Sequence, residues 1–103
     1  MKSSEGSKKT FLPPMQSINP NVHLNIVPNP TSSVFRIVPD MRYSDQLLNY
    51  DKIVVTDQNG KVVFQKDAFT ESDWVNLGEM SRGMYYVTVK YNQKEHHLKL
   101  LLE

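Results

Sequence analysis

From Val22 onward the apolar residues recur mostly at every second position, in short runs broken by turn residues at intervals of about 8–12 positions. Period two is the signature of a half-buried strand, and helical periodicity is nearly absent. The runs predict strands at residues 22–27, 33–38, 52–57, 61–66, 72–77, 84–91 and 95–102. Seven antiparallel strands at this spacing predict an all-β, immunoglobulin-like β-sandwich. Alternation also assigns faces. In MYYVTVKY, Tyr85, Val87, Val89 and Tyr91 make the better core face, while Met84, Tyr86, Thr88 and Lys90 point the other way. Phe35 with Ile37, Ile53 with Val55, and Leu98 with Leu100 and Leu102 form similar inward sets, and Trp74 with Leu77 is expected to close one end of the core.

Turn chemistry sets the connections. DQNGK at 57–61 places Asn59-Gly60 between two valine-rich runs, and both residues tolerate positive φ, so strands 52–57 and 61–66 should form a hairpin. YNQKE at 91–95 is a short polar link that makes the last two strands a second hairpin. In LNIVPNPTSSVF, residues 24–35, the alternation is interrupted by Pro28-Asn29-Pro30. Proline supplies no N–H and forces its predecessor to be extended, so the motif is expected to form a fixed corner carrying the chain from one sheet to the other, with the hydroxyls of Thr31, Ser32 and Ser33 tying the turn to the backbone. Segment 39–51, PDMRYSDQLLNYD, fits a helical turn, a ragged strand and an ordered loop equally well, and its length implies some structure of its own. Residues 1–21 are rich in Ser, Lys and Pro without periodicity and read as a flexible linker before a domain at 22–103; the alternative is that Phe11, Leu12 and Met15 dock as a loose extra segment.

Length and charge narrow the function. A chain of 103 residues has room for one core. Twelve Lys plus Arg against eleven Asp plus Glu leave a formal charge of +1, too balanced for a surface that tracks phosphates or anionic lipid, so nucleic acid is not an expected partner. With no cysteine there is no disulfide, thiolate metal site or thiol nucleophile. No apolar block in the first twenty residues is long enough for a signal-peptide core, which leaves either a cytoplasmic protein or a piece of a longer secreted precursor.

Reaction chemistry is not proposed by any spacing. His96 and His97 are adjacent, so in a strand they face opposite sides and cannot chelate one ion, and His23 is distant; no metal or cofactor is expected. No serine stands in a nucleophile elbow, and Asp45, Asp51, Asp57, Glu71 and Asp73 fall in turns or polar loops where carboxylates cap backbone N–H groups. Gly60, Gly78 and Gly83 are isolated turn glycines rather than a phosphate cradle. The chain reads as a non-enzyme, with no small-molecule substrate.

Three segments in order, NIVPNPTSSVFRI at 25–37, IVVTDQNGKVVF at 53–64 and LGEMSRGMYYVTVKYNQKEHHLKLLLE from 77 to the end, resemble the type A C-terminal sorting domain of type IX (Por) secretion system cargo in Bacteroidota. The family's Pro-Asn-Pro motif falls on Pro28, Asn29 and Pro30, with its aromatic at Phe35. Its Asp-x-x-Gly-Lys turn falls on Asp57, Gly60 and Lys61, its Gly-x-Tyr-x-Val-x-Val pattern on Gly83, Tyr85, Val87 and Val89, and its basic-then-aliphatic ending on Lys99, Leu100, Leu101 and Leu102. Ser33 stands where many members have glycine, and Lys99 follows His96 and His97 where members often have a denser basic cluster.

The resemblance implies a non-catalytic address that sends an upstream, covalently linked cargo through the periplasm to the surface or medium. Its implied partners are the type IX translocon and a sortase-like protease, which cuts within an exposed linker at residues 10–22. The last strand, ending in Leu100 to Glu103, is expected to offer its edge to a receptor by strand addition, or to a second copy in a weak dimer, while its leucines also finish the core. A different class of function, an immunoglobulin-like surface module binding carbohydrate or protein, shares the fold.

Overall fold

A computed structural model describes residues 22–41 and 46–103. Residues 1–21, with Phe11, Leu12 and Met15, lie outside the described residues, as do Tyr43 and Asp45 of the ambiguous segment.

Among the described residues seven strands follow in order: β1 (Leu24–Val27), β2 (Val34–Pro39), β3 (Asn49–Thr56), β4 (Val62–Thr70), β5 (Val75–Asn76), β6 (Gly83–Tyr91) and β7 (Lys94–Leu102). They form a three-stranded sheet, β1-β2-β5, and a four-stranded sheet, β4-β3-β6-β7, whose named pairs are all antiparallel. Both expected hairpins are present, since Val54 pairs with Gln65 across β3–β4 and Val87 with Leu98 across β6–β7. The fifth strand is much shorter than its apolar run suggested, because only Val75–Asn76 pairs with β2.

The inward sets meet between the sheets. Phe35 and Ile37 of β2 face Ile53, Val55, Val87, Val89, Leu100 and Leu102 of the larger sheet, all buried, which removes apolar area from water at roughly 25 cal/mol per Å². Tyr50 ties the layers together. Its ring packs at 6.2 Å from Phe69 and 5.8 Å from Tyr91, and its hydroxyl donates across the core to the Ile37 carbonyl at 2.8 Å. Tyr50 belongs to the segment that the alternation left open; Pro39 ends β2 and Asn49–Asp51 begin β3.

Two expectations are corrected. Leu77 is buried but Trp74 is 55% exposed, lying under the Arg36 guanidinium at 5.4 Å rather than closing the core. An indole beside a cation keeps its face partnered while its edge stays wet, so burial is not its only stable place. The Pro-Asn-Pro stretch does not change sheets, because β1 and β2 are neighbours in one sheet, with Ile26 opposite Ile37.

Candidate functional site

The loop between β1 and β2 carries Pro28-Asn29-Pro30, and its Val27-Pro28 and Asn29-Pro30 bonds are both cis. The loop lies along the outer edge of β7. Asn29 Nδ2 donates to the Lys99 carbonyl at 2.9 Å, and Asn29 Oδ1 accepts from Leu101 N at 3.1 Å. Two residues on, Thr31 N donates to the Leu101 carbonyl at 3.0 Å and Glu103 N donates to the Thr31 carbonyl at 2.8 Å, a parallel bridge between Thr31 and Leu102. The amide of Asn29 thus stands in for a peptide group opposite Leu100, and the backbone of Thr31 repeats the pattern opposite Leu102. Thr31 is itself buried, with Oγ1 donating to the Val34 carbonyl and accepting from Ser33 N at 3.3 Å, the hydroxyl tie expected of this turn. The β7 edge from Lys99 to Glu103 is therefore not free, as strand addition would require. A loop of the same chain occupies it.

Three more segments gather at the same end of the sandwich. Thr56 pairs with both Val62 and Tyr86, and Gly83 pairs with Leu102, so the β3–β4 turn, the start of β6 and the end of β7 share one pole. In the turn, one Asp57 carboxylate oxygen accepts from Asn59 N at 2.8 Å and Lys61 N at 3.0 Å, and Gly60 takes a φ of +84°, which glycine adopts without a Cβ penalty. Gly83 has a φ of +143°, and a Cβ there would stand 3.1 Å from Gln58 Nε2, so the glycine lets the turn pack against β6. Tyr85 donates its hydroxyl to the Ser81 carbonyl at 2.6 Å, and Arg82 Nη1 donates to the Ser32 carbonyl at 3.0 Å, joining the 78–83 loop to the proline loop. Asp57, Lys61, Met80, Arg82 and Tyr85 line a cleft of about 390 Å³ between them.

A family model described as the secretion system C-terminal sorting domain matches residues 25–103 of this chain. The chain belongs to the family of type IX secretion sorting domains. As a member it is a C-terminal sorting signal for type IX secretion, which implies attachment to a cargo, interaction with the secretion machinery, and export to the cell surface or beyond. A comparison with curated proteins found no match.

The motif residues of the sorting domain divide by burial. Phe35, Tyr85, Val87, Val89, Leu100 and Leu102 are core. Pro28, Asn29, Pro30, Gly60, Lys61, Lys99 and Leu101 are exposed, Asp57 and Gly83 are half-buried, and all nine lie at the pole where the loop meets β7. Thr31 and Arg82 also hold that pole together, although neither stands in one of the family's motifs. Thr31 was seen only as a turn hydroxyl, and an arginine before a turn glycine gives no signal of its distant carbonyl.

The opposite pole of the sorting domain carries the entry of the chain. Val22 is buried there, and the His23 carbonyl accepts from Asp40 N at 2.6 Å. Burial, with smaller pushes from Lys94, His23 and His97, holds the His96 imidazole below its ordinary value, and its ring sits 6.3 Å from that of Tyr91, whose hydroxyl burial pushes up. Asp73 caps the β4–β5 turn by accepting from Thr70 N at 2.8 Å, the bond that chiefly lowers its pKa. Among the described residues no group of three or more His, Cys, Asp or Glu could hold a metal ion.

Proposed function

We propose that the domain spans residues 22–103 and acts as a folded, non-catalytic address whose recognition face is the pole formed by the proline loop, the Asp57–Lys61 turn, Gly83 and the end of β7. The observation that carries this is convergence. Asn29 and the Lys99–Leu101 stretch, about 70 residues apart, are joined by direct hydrogen bonds, and the other motif turns stand beside them. On this reading, Lys61, Lys99 and Leu101 are the side chains that the translocon reads, while Phe35, Tyr85, Val87, Val89, Leu100 and Leu102 hold the shape.

The arrangement also separates two events. Val22 stands at the pole opposite the recognition face, so a sortase-like protease that cuts upstream of it works away from the end that the translocon holds. On this reading the cut falls in the linker expected at residues 10–22, and the burial of Val22 in the core supports a position upstream of that residue. The domain is the substrate of that cleavage.

The test fuses the whole chain behind a signal peptide and a fluorescent passenger in a bacterium with the type IX machinery. Replacing Lys61, Lys99 and Leu101 together with alanine should retain the passenger in the periplasm although the purified variant still unfolds cooperatively. Secretion of that variant at the level of the parent refutes the proposed face. Mass spectrometry of the released passenger locates the cut, and a terminus beyond Val22 refutes the linker assignment.

A further inference from the structure

A strand added to a sheet edge satisfies that edge but presents another. The proline loop does not. The groups that pair with the Lys99 carbonyl and Leu101 N belong to a side-chain amide, and the residues on either side of Asn29 are prolines without an N–H. The loop covers the edge and ends the sheet.

Its position matches the need. The first half of β7 carries Lys94, Glu95, His96 and His97, with Glu95 and His97 exposed and 3.7 Å apart, and charged residues discourage pairing at an edge. Leu100, Leu101 and Leu102 have no such guard, and this is the half that Asn29 and Thr31 cover. The bare edge would also be self-complementary. Lys99, Leu101 and Glu103 turn backbone groups toward the loop. Two copies paired antiparallel about Leu101 would set each Lys99 opposite the other's Glu103, a favourable cross-strand pair.

We propose that the loop from Pro28 to Thr31, anchored by the Asn29 amide and the Thr31 backbone, is a plug on the β7 edge, and that the surface beneath it is a latent homotypic interface that pairs with β7 of a second copy when the loop lifts away. This is independent of what the recognition face binds, and the test needs no secretion machinery.

Sedimentation velocity on the full chain across a wide concentration range should find the parent monomeric. Asn29→Ala removes two of the four hydrogen bonds that hold the loop on β7, so the loop should lift and the variant self-associate with a dimer Kd at least about tenfold below any parent value, a difference of about 1.4 kcal/mol, while hydrogen exchange at the Leu101 amide should quicken at concentrations where the variant is still monomeric. Adding Lys99→Glu to Asn29→Ala should restore the monomer, because like charges then face each other across the pair. If Asn29→Ala does not fold, Asn29→Ser is used, since its shorter hydroxyl cannot replace both bonds, and it should associate in the same way. A folded Asn29 variant that stays monomeric, or one whose association survives Lys99→Glu, overturns the proposal.

Discussion

Leu100 and Leu101 are chemically identical neighbours on β7 with opposite duties, and truncating each one separates fold from recognition. Leu100 is 0% exposed among Phe35, Val87 and the rest of the core, whereas Leu101 is 36% exposed and points to the outer face beside Met84 and Lys99. Leu100→Ala removes buried methyl groups and leaves a cavity, a combination that costs about 2–5 kcal/mol. A domain of this size has roughly 5–15 kcal/mol to lose. With a urea slope of about 1.5 kcal/mol per M, a loss of about 3 kcal/mol moves the midpoint down by about 2 M. Leu101→Ala gives up only partial cover and should cost under about 1 kcal/mol. Equilibrium urea unfolding followed by the fluorescence of Trp74 measures both, and passenger export measures the second duty. The expected pattern is a large stability loss for Leu100→Ala, and a small one for Leu101→Ala accompanied by reduced export. Equal destabilisation by the two would refute the face assignment of β7, and undiminished export of Leu101→Ala would remove that residue from the recognition face.

Gly83→Ala forces a Cβ onto a φ of +143° and within 3.1 Å of Gln58 Nε2, so it should destabilise by more than about 1 kcal/mol and lower Tm by about 4–8 °C in a thermal melt; an unchanged Tm refutes the need for glycine there. The Thr70 amide chiefly holds the Asp73 carboxyl below its ordinary 3.8, so the ionised form is favoured in the folded state. That contribution is fully present above the unfolded value and is lost as pH falls through the lower folded value. Asp73→Asn should therefore flatten the stability profile below about pH 4, and a profile identical to the parent's by urea midpoints at stepped pH speaks against the cap.

Alternation along the chain located the seven strands and most of their faces, and turn chemistry located two hairpins. Alternation is a local property: successive side chains point to opposite faces, so Val87, Val89, Leu100 and Leu102 announce their burial without knowledge of any partner. Asn59-Gly60 does the same for its turn, because positive φ is a local demand. Where the local rule breaks, legibility ends. Tyr50 and Ile53 are both buried although three apart, with Ala68 at a φ of 55° on the facing strand, so period two cannot carry through residues 50–53 and the segment could not be read. The motif residues were legible as separate marks along the chain. Their assembly into one pole was decided only by the tertiary structure, because it depends on strand order: β1 and β2 had to share a sheet, and their loop had to reach β7, before the Asn29 amide could meet the Lys99 carbonyl. No local periodicity encodes a hydrogen bond between residues 70 positions apart. It exists because two packed sheets place one loop against the far strand's edge.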